Sequence, residues 1–280
     1  MTPALDLRTA DGVALHGQAW PLAGPAARGS VLIVHGLGEH VGRHAALAAH
    51  LNAWGWQVAG YDLRGHGRSD GPRGGLPDAD ALLRDLAQAI DAVRAAWPGP
   101  LVLLGHSMGG LIAARFVAGA LGDSQPWQRE VDALVLSSPA LDAGMNAGQK
   151  LLLSLLGNLA PNLAVGNGLK PEWISRDPAV VAAYVADPLV HDRVTPRLVR
   201  FIVDGGVAVR AAAPRWRVPT LLLWAGADRC VAPAGSAAFA AAAPAGVVRA
   251  QAFAGLAHEI FNEPEKSDVF AALGAWLAER

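Results

Sequence analysis

Cysteine occurs once in the 280 residues, as Cys230, so the fold cannot depend on an internal disulfide. Charge is also scarce. Charged residues make up 17%, and the net charge is -1. The 23 Lys and Arg residues, mostly arginine, are spread along the chain rather than clustered. That distribution excludes the basic footprint of a nucleic-acid binder. No apolar run reaches the roughly 20 residues that cross a bilayer. The most lipophilic stretch, 151–163, is broken by Ser154, Gly157, Asn158 and Pro161. Residues 1–8 lack a basic region followed by an apolar one, so no signal peptide is expected and the chain reads as cytoplasmic. There is no internal repeat and no low-complexity tract. What is plentiful is apolar: 52% of the residues are hydrophobic, enough for a sizeable core. The length suits one large domain with an insertion.

Short apolar runs alternate with helix-length segments. Runs at 31–35, 57–61, 101–104, 133–136, 220–224 and 247–253 lead into Gly-, Pro- or Asp-containing turns, as buried parallel strands do. Helices are expected at 43–54, 79–97, 108–121 and 264–279, with another in the alanine-rich stretch 237–243. This alternation predicts an α/β fold, a mostly parallel sheet with helices on both faces. Segments 5–8 and 13–20, joined through Asp11-Gly12, read as a hairpin. The rhythm fails between 141 and 215, where prolines recur and no clear strand is visible. Residues 141–215 are therefore expected to form a helical cap over the carboxyl ends of the strands, inserted between core segments 1–140 and 216–280.

The strongest chemical signal is Gly105-His106-Ser107-Met108-Gly109. It fits G-x-S-x-G, directly after a strand and directly before a helix. The serine of such a motif sits on a sharp turn, and glycines on both sides let the neighbouring backbones approach. Its Oγ then faces the cleft beside the free N–H groups of the helix start. A serine nucleophile needs a base and a group to orient that base. Asp228 and His258 both follow strand runs, in the chain order that the motif requires. His258 is expected to take the proton from Ser107, and Asp228 to hold the imidazole. The backbone N–H groups of Met108 and Leu37 are the expected oxyanion donors, Leu37 lying in His35-Gly36-Leu37-Gly38.

The other histidines compete with His258. His35, His66 and His106 read as packing residues, and His16, His44, His50 and His191 as hydrogen-bonded or exposed ones. His40 and His44 have i, i+4 spacing, but the zinc-protease order H-E-x-x-H is not met and Gly42 disfavours a helix, so no metal site is expected. No cofactor is required by serine chemistry.

These motifs resemble the monoacylglycerol lipase and lysophospholipase group of α/β-hydrolases. The resemblance rests on His35-Gly36-Leu37-Gly38-Glu39-His40 with Gly42-Arg43, Asp62-Leu63-Arg64-Gly65-His66-Gly67-Arg68-Ser69, the Ser107 motif, Ser175-Arg176-Asp177-Pro178, Tyr184 to Leu189, Gly226-Ala227-Asp228-Arg229 and His258-Glu259. It spans nearly the whole chain. It implies the α/β-hydrolase fold with an eight-stranded sheet and a cap. It also implies cleavage of single-chain fatty acyl esters through an acyl-enzyme, with Glu39 and Arg43 near the alcohol part of the substrate and Tyr184 as a further substrate-binding residue. Arg43 could equally pair with Glu39 to set the loop. Phe261 departs from the mammalian members, which carry a second histidine three residues after the catalytic one; the ending here is more like bacterial lysophospholipase-like members.

The leucines at 151, 152, 153, 155, 156 and 159 are expected to form cap core, with an acyl tunnel or a membrane-touching lip as the alternative. The readings still open are a short-chain carboxylesterase, a proline-iminopeptidase-type peptidase, an acyltransferase, and an inactive hydrolase fold used as a binding module. Dehalogenase and epoxide-hydrolase chemistry is excluded, because those enzymes place aspartate at the elbow.

Overall fold

The computed structural model describes residues 5, 7–22, 28–122 and 124–280. Asp6, inside the first expected strand, lies outside them. Strands β1 (Leu7–Arg8) and β2 (Ala14–Leu15) form the hairpin, and β3 (Gly17–Trp20) follows. Strand β4 (Ser30–Val34) leads through a 3-10 turn, Val41–His44, into α1 (Ala45–Ala53). Then come β5 (Gln57–Tyr61), α2 (Ala81–Ala96), β6 (Leu101–His106), α3 (Met108–Gly119) and β7 (Ala133–Ser137). The stretch without sequence rhythm holds α4 (Ala147–Leu159), β8 (Val165–Gly166), α5 (Pro178–Ala186), β9 (Arg193–Val194) and α6 (Pro196–Ala212). The chain closes with β10 (Thr220–Ala225), α7 (Pro233–Ala242), β11 (Val248–Phe253) and α8 (Lys266–Ala278).

The central sheet has the order β11-β10-β7-β6-β4-β5-β3, parallel throughout except where β3 pairs antiparallel with β5. The resemblance implied eight strands; the described residues give seven. The hairpin β1–β2 pairs only with itself and does not extend the sheet. The runs of β4, β5, β6, β7 and β10 became strands because both faces are covered, whereas β11 is a mostly exposed edge strand. Along β4, Val31 and Ile33 pack with α1 and α8, whereas Leu32 and Val34 pack with α2 and α3. Burying each such side chain contributes about 1.5–3 kcal/mol.

Strand order reverses between β4 and β6: the chain passes from β4 to β5 on one side, and β6 lies on the other. In open α/β sheets the ligand crevice lies at the carboxyl ends of the strands flanking that switch. Here those ends carry His35-Gly36-Leu37 and Ser107.

Residues 141–215 start from a capping box on α4. Asn146 Oδ1 accepts from Gln149 N at 2.9 Å, and Gln149 Oε1 accepts from Asn146 N at 2.9 Å. Asp177 caps α5 and Thr195 caps α6, each followed by a proline at the first helical position. Helix α6 lies against α3 with Leu198, Phe201 and Val209 buried among core residues. Helix α4 has α6 as its main neighbour. The six clustered leucines were expected inside the cap. Instead Leu151 (64%), Leu152 (55%), Leu155 (53%) and Leu159 (82%) are exposed, because α4 has no second layer above it. No described helix is long and apolar enough to cross a membrane.

Candidate active site

Ser107 sits between β6 and α3 with φ 54° and ψ -121°. Among the described residues only Ser107 and Ser138 are non-glycine with positive φ, and they belong to adjacent strand ends. Such backbone costs on the order of 1–3 kcal/mol and persists only where its surroundings enforce it. Here Ser107 N donates to Ser137 O at 3.0 Å, and Ser107 O accepts from Ala140 N at 3.0 Å. The glycines of the motif are forced by sterics. A Cβ at Gly105 would lie 2.4 Å from Gly109 O, and one at Gly109 would lie 2.1 Å from Val34 O. The turn can therefore close only with hydrogen at both positions.

Asp228 and His258 meet as the sequence order required. His258 Nδ1–H donates to Asp228 Oδ2 at 2.6 Å, which leaves Nε2 as the free basic nitrogen. The aspartate is itself fixed, since its Oδ1 accepts from the N–H groups of Cys230 (2.8 Å) and Val231 (3.1 Å). Burial of the imidazole opposes its protonation. The Asp228 carboxylate outweighs that and holds the His258 pKa above the ordinary histidine value. Ser107 and His258 line the same cavity.

The loop after β4 is pinned from both sides. Leu63 N–H donates to His35 Nε2 at 2.9 Å, so His35 Nδ1–H donates to Gly36 O at 2.8 Å. Gly36 N–H donates to Glu39 Oε1 at 2.6 Å. A Cβ at Gly36 would stand 3.1 Å from the Ser107 Cβ, so glycine lets the loop close on Ser107. Among the described residues neither Leu37 N–H nor Met108 N–H has a protein acceptor. Both residues line one cavity with Ser107.

Glu39 and Arg43 do pair, and they also face the cavity. Arg43 Nη1 donates to Glu39 Oε2 at 2.7 Å. The same guanidinium grips Glu259 in a fork, at 2.7 and 2.9 Å. Its carbon lies 4.8 Å from the centroid of the Tyr184 ring. Burial pushes the Glu39 carboxyl up, but His44, Arg43 and His106 pull it down, and its pKa ends well below the usual carboxylate range. Tyr184 is raised to about 12, chiefly by burial. The three residues expected to bind substrate, Glu39, Arg43 and Tyr184, are thus brought together.

Several residues not singled out for a role join this frame. His106, read as a packing residue, lies with its ring centroid 4.8 Å from that of His258 and lines the same cavity. His40 Nε2 lies 2.8 Å from Asp187 Oδ2, a pairing across 147 positions that i, i+4 spacing could not suggest. His191 N–H donates to Gly38 O at 2.9 Å, so the stretch before α6 rests directly on the loop after β4. Phe261 packs on Phe270, with centroids 5.2 Å apart. Asp228, Cys230 and His258 bring potential ligand atoms within 4.8 Å of one another. The carboxylate is already committed to hydrogen bonds, and burial pushes the Cys230 thiol up.

Two cavities meet at Ser107. One, about 360 Å³, combines charged groups such as Glu39, Arg43, Lys170 and Glu259 with apolar ones such as Ile174 and Val190. The other, about 590 Å³, is lined mainly by apolar groups such as Met108, Ala140, Met145, Val165, Val199, Ile202 and Val231. Leu37, Ser107 and Cys230 belong to both.

With this geometry in view, the comparisons with known proteins agree. Residues 25–265 match the family described as serine aminopeptidase, S33. The chain belongs to this family of α/β-hydrolases. Among S33 relatives, a monoacylglycerol lipase of Mycolicibacterium smegmatis is 36% identical over 254 residues, covering 89% of this chain and 88% of that one. A phospholipase of Bacillus subtilis is 31% identical, covering 88% and 93%. The crystal structure of Paleococcus ferrophilus monoacylglycerol lipase superposes with a TM-score of 0.82 at 32% identity, covering 95% and 98%. Membership makes the chain a serine hydrolase.

Proposed function

We propose that the protein hydrolyses esters of a single long acyl chain, monoacylglycerol or a lysophospholipid, with Ser107 as nucleophile, His258 as base and Asp228 as its orienter. The observation that carries this reading is the meeting at Ser107 of two cavities, one bearing the charged groups Glu39, Arg43 and Glu259 on its wall and the other lined mainly by apolar side chains. An acyl chain fits the larger cavity, among Met108, Val199 and Ile202. The alcohol part then lies beside Glu39, Arg43 and Tyr184. The relatives named for monoacylglycerol and phospholipid cleavage support the same substrate class.

His258 Nε2 takes the Ser107 proton as Oγ attacks the ester carbonyl. The Leu37 and Met108 N–H groups receive the oxyanion, each donor of this kind being worth about 3 kcal/mol in the transition state. The imidazolium, stabilised by Asp228, returns the proton to the leaving alcohol. Water then enters by the same route and frees the fatty acid. No cofactor takes part in these steps. Residues 141–215 serve as the cap, with α6 rooting it on α3 and the exposed leucines of α4 offered to a lipid surface.

The test is hydrolysis of monoacylglycerols and p-nitrophenyl esters from two to eighteen acyl carbons. Activity is expected to peak with long-chain monoacylglycerol or lysophospholipid. Turnover confined to the shortest esters would replace this reading with a short-chain carboxylesterase.

A further inference from the structure

Glu263 is a buried carboxylate that the steps above do not use. Its side chain is fully covered, and both oxygens are saturated. Oε1 accepts from Ser175 Oγ at 2.8 Å and from Arg176 N at 2.6 Å. Oε2 accepts from Arg176 Nε at 2.7 Å and from Ala257 N at 2.7 Å. Burial pushes this carboxyl up, but the hydrogen bonds outweigh it and keep it ionised. Ala257 directly precedes His258. On the other side of the histidine, Glu259 N–H donates to Ile174 O at 2.7 Å. The backbone on both flanks of His258 is therefore anchored to one short segment, residues 174–176. Ser175 Oγ also reaches Asn262 O at 3.2 Å, which closes the loop on that segment.

We infer that Glu263 is a positioning residue for His258, locking the loop that carries the base onto residues 174–176. The inference rests on the reading of His258 as the base. A carboxylate is needed because all four partners are donors. A glutamine there turns an NH2 group toward two of them and leaves their hydrogen bonds unmade. His258 then loses its backbone support on one side, and its 2.6 Å contact with Asp228 is no longer held. Displacing a catalytic group by about 1 Å can cost on the order of 100-fold in rate.

The experiment compares wild type, Glu263→Gln, Ser175→Ala and the distant surface control Arg249→Ala. Two readouts are taken: kcat and KM on short and long p-nitrophenyl esters, and the downfield proton resonance of His258 Nδ1. For Glu263→Gln, kcat is expected to fall about 10- to 100-fold at every chain length with KM within about twofold, and the resonance to broaden or move upfield. Ser175→Ala is expected to give the same pattern at several-fold, and Arg249→Ala neither effect. If Glu263→Gln does not fold, Ser175→Ala decides by the same readouts. An unmoved resonance with unchanged kcat, or a loss confined to KM for long chains, would overturn the inference. Wild-type protein without ester turnover would instead overturn the reading of Ser107 and His258, and this inference with it.

Discussion

The loops at the ends of β4, β6, β10 and β11 differ from helix α4 in how their side chains are held. Asp228, His258, Glu39 and Glu263 are all buried as side chains, and each is fixed by named hydrogen bonds. In α4, Leu151, Leu152, Leu155 and Leu159 are each more than half exposed. The first region buries charge and satisfies it; the second exposes apolar surface and leaves it uncovered. Burying an unpaired charge is costly, so each buried carboxylate must bring its partners, and the geometry becomes rigid. Exposed leucines impose no such demand. Precision thus belongs to the strand ends, and uncovered apolar surface to α4.

That contrast can be broken first at its rigid end. Asp228→Asn is expected to lower kcat about 10⁴-fold, because the amide no longer holds the His258 tautomer. It also moves the acid limb. His258 must be neutral to accept a proton, and Asp228 raises its pKa, so wild-type activity falls as pH drops through a value above the ordinary imidazole range. Without the aspartate charge that limb shifts to lower pH, which a pH–rate profile of kcat/KM reads directly. A limb that stays in place would show that Asp228 does not set the base.

The next largest effect is expected at Glu39. Glu39→Gln removes the carboxylate that holds Gly36 N–H and Arg43, loosening the loop that presents Leu37. A fall in kcat of about 10- to 100-fold is expected, below or near the loss of a whole oxyanion donor. Steady-state kinetics on a water-soluble short ester check this, and an effect on KM alone would mark Glu39 as a substrate contact only.

The smallest effect belongs to the exposed end of the comparison. Leu155→Ser with Leu159→Ser is expected to leave hydrolysis of dissolved short esters unchanged and to reduce activity on vesicle-borne monoacylglycerol by about 3- to 10-fold. Equal losses on both substrates would assign these leucines to folding rather than to the lipid surface.

The rigid region was also the legible one. Gly105 and Gly109 stand where no Cβ fits, so the Ser107 turn could be read from five residues. The inner parallel strands were legible as apolar runs, since both faces of the sheet are buried there, while the edge strand β11 is mostly exposed. Asp228 and His258 could be read from chain order and their place after strand runs. The pairing of His40 with Asp187 and of Glu263 with Ser175 and Arg176 was not legible, because each joins residues about 90 to 150 positions apart. The crowding of leucines at 151–159 announced an apolar segment, but crowding does not say whether a second layer will cover it. The position of His106 beside His258 was missed for a related reason: a tight turn swings neighbouring side chains in ways that sequence order does not encode.

The central claim is that Ser107 is the nucleophile. Intact wild-type protein is treated with a fluorophosphonate, and the adduct is mapped by peptide mass spectrometry beside Ser107→Ala. One phosphonyl group on Ser107, absent from Ser107→Ala together with ester turnover, is the expected result. Unlabelled Ser107 in an active enzyme, or full activity in Ser107→Ala, would contradict the account.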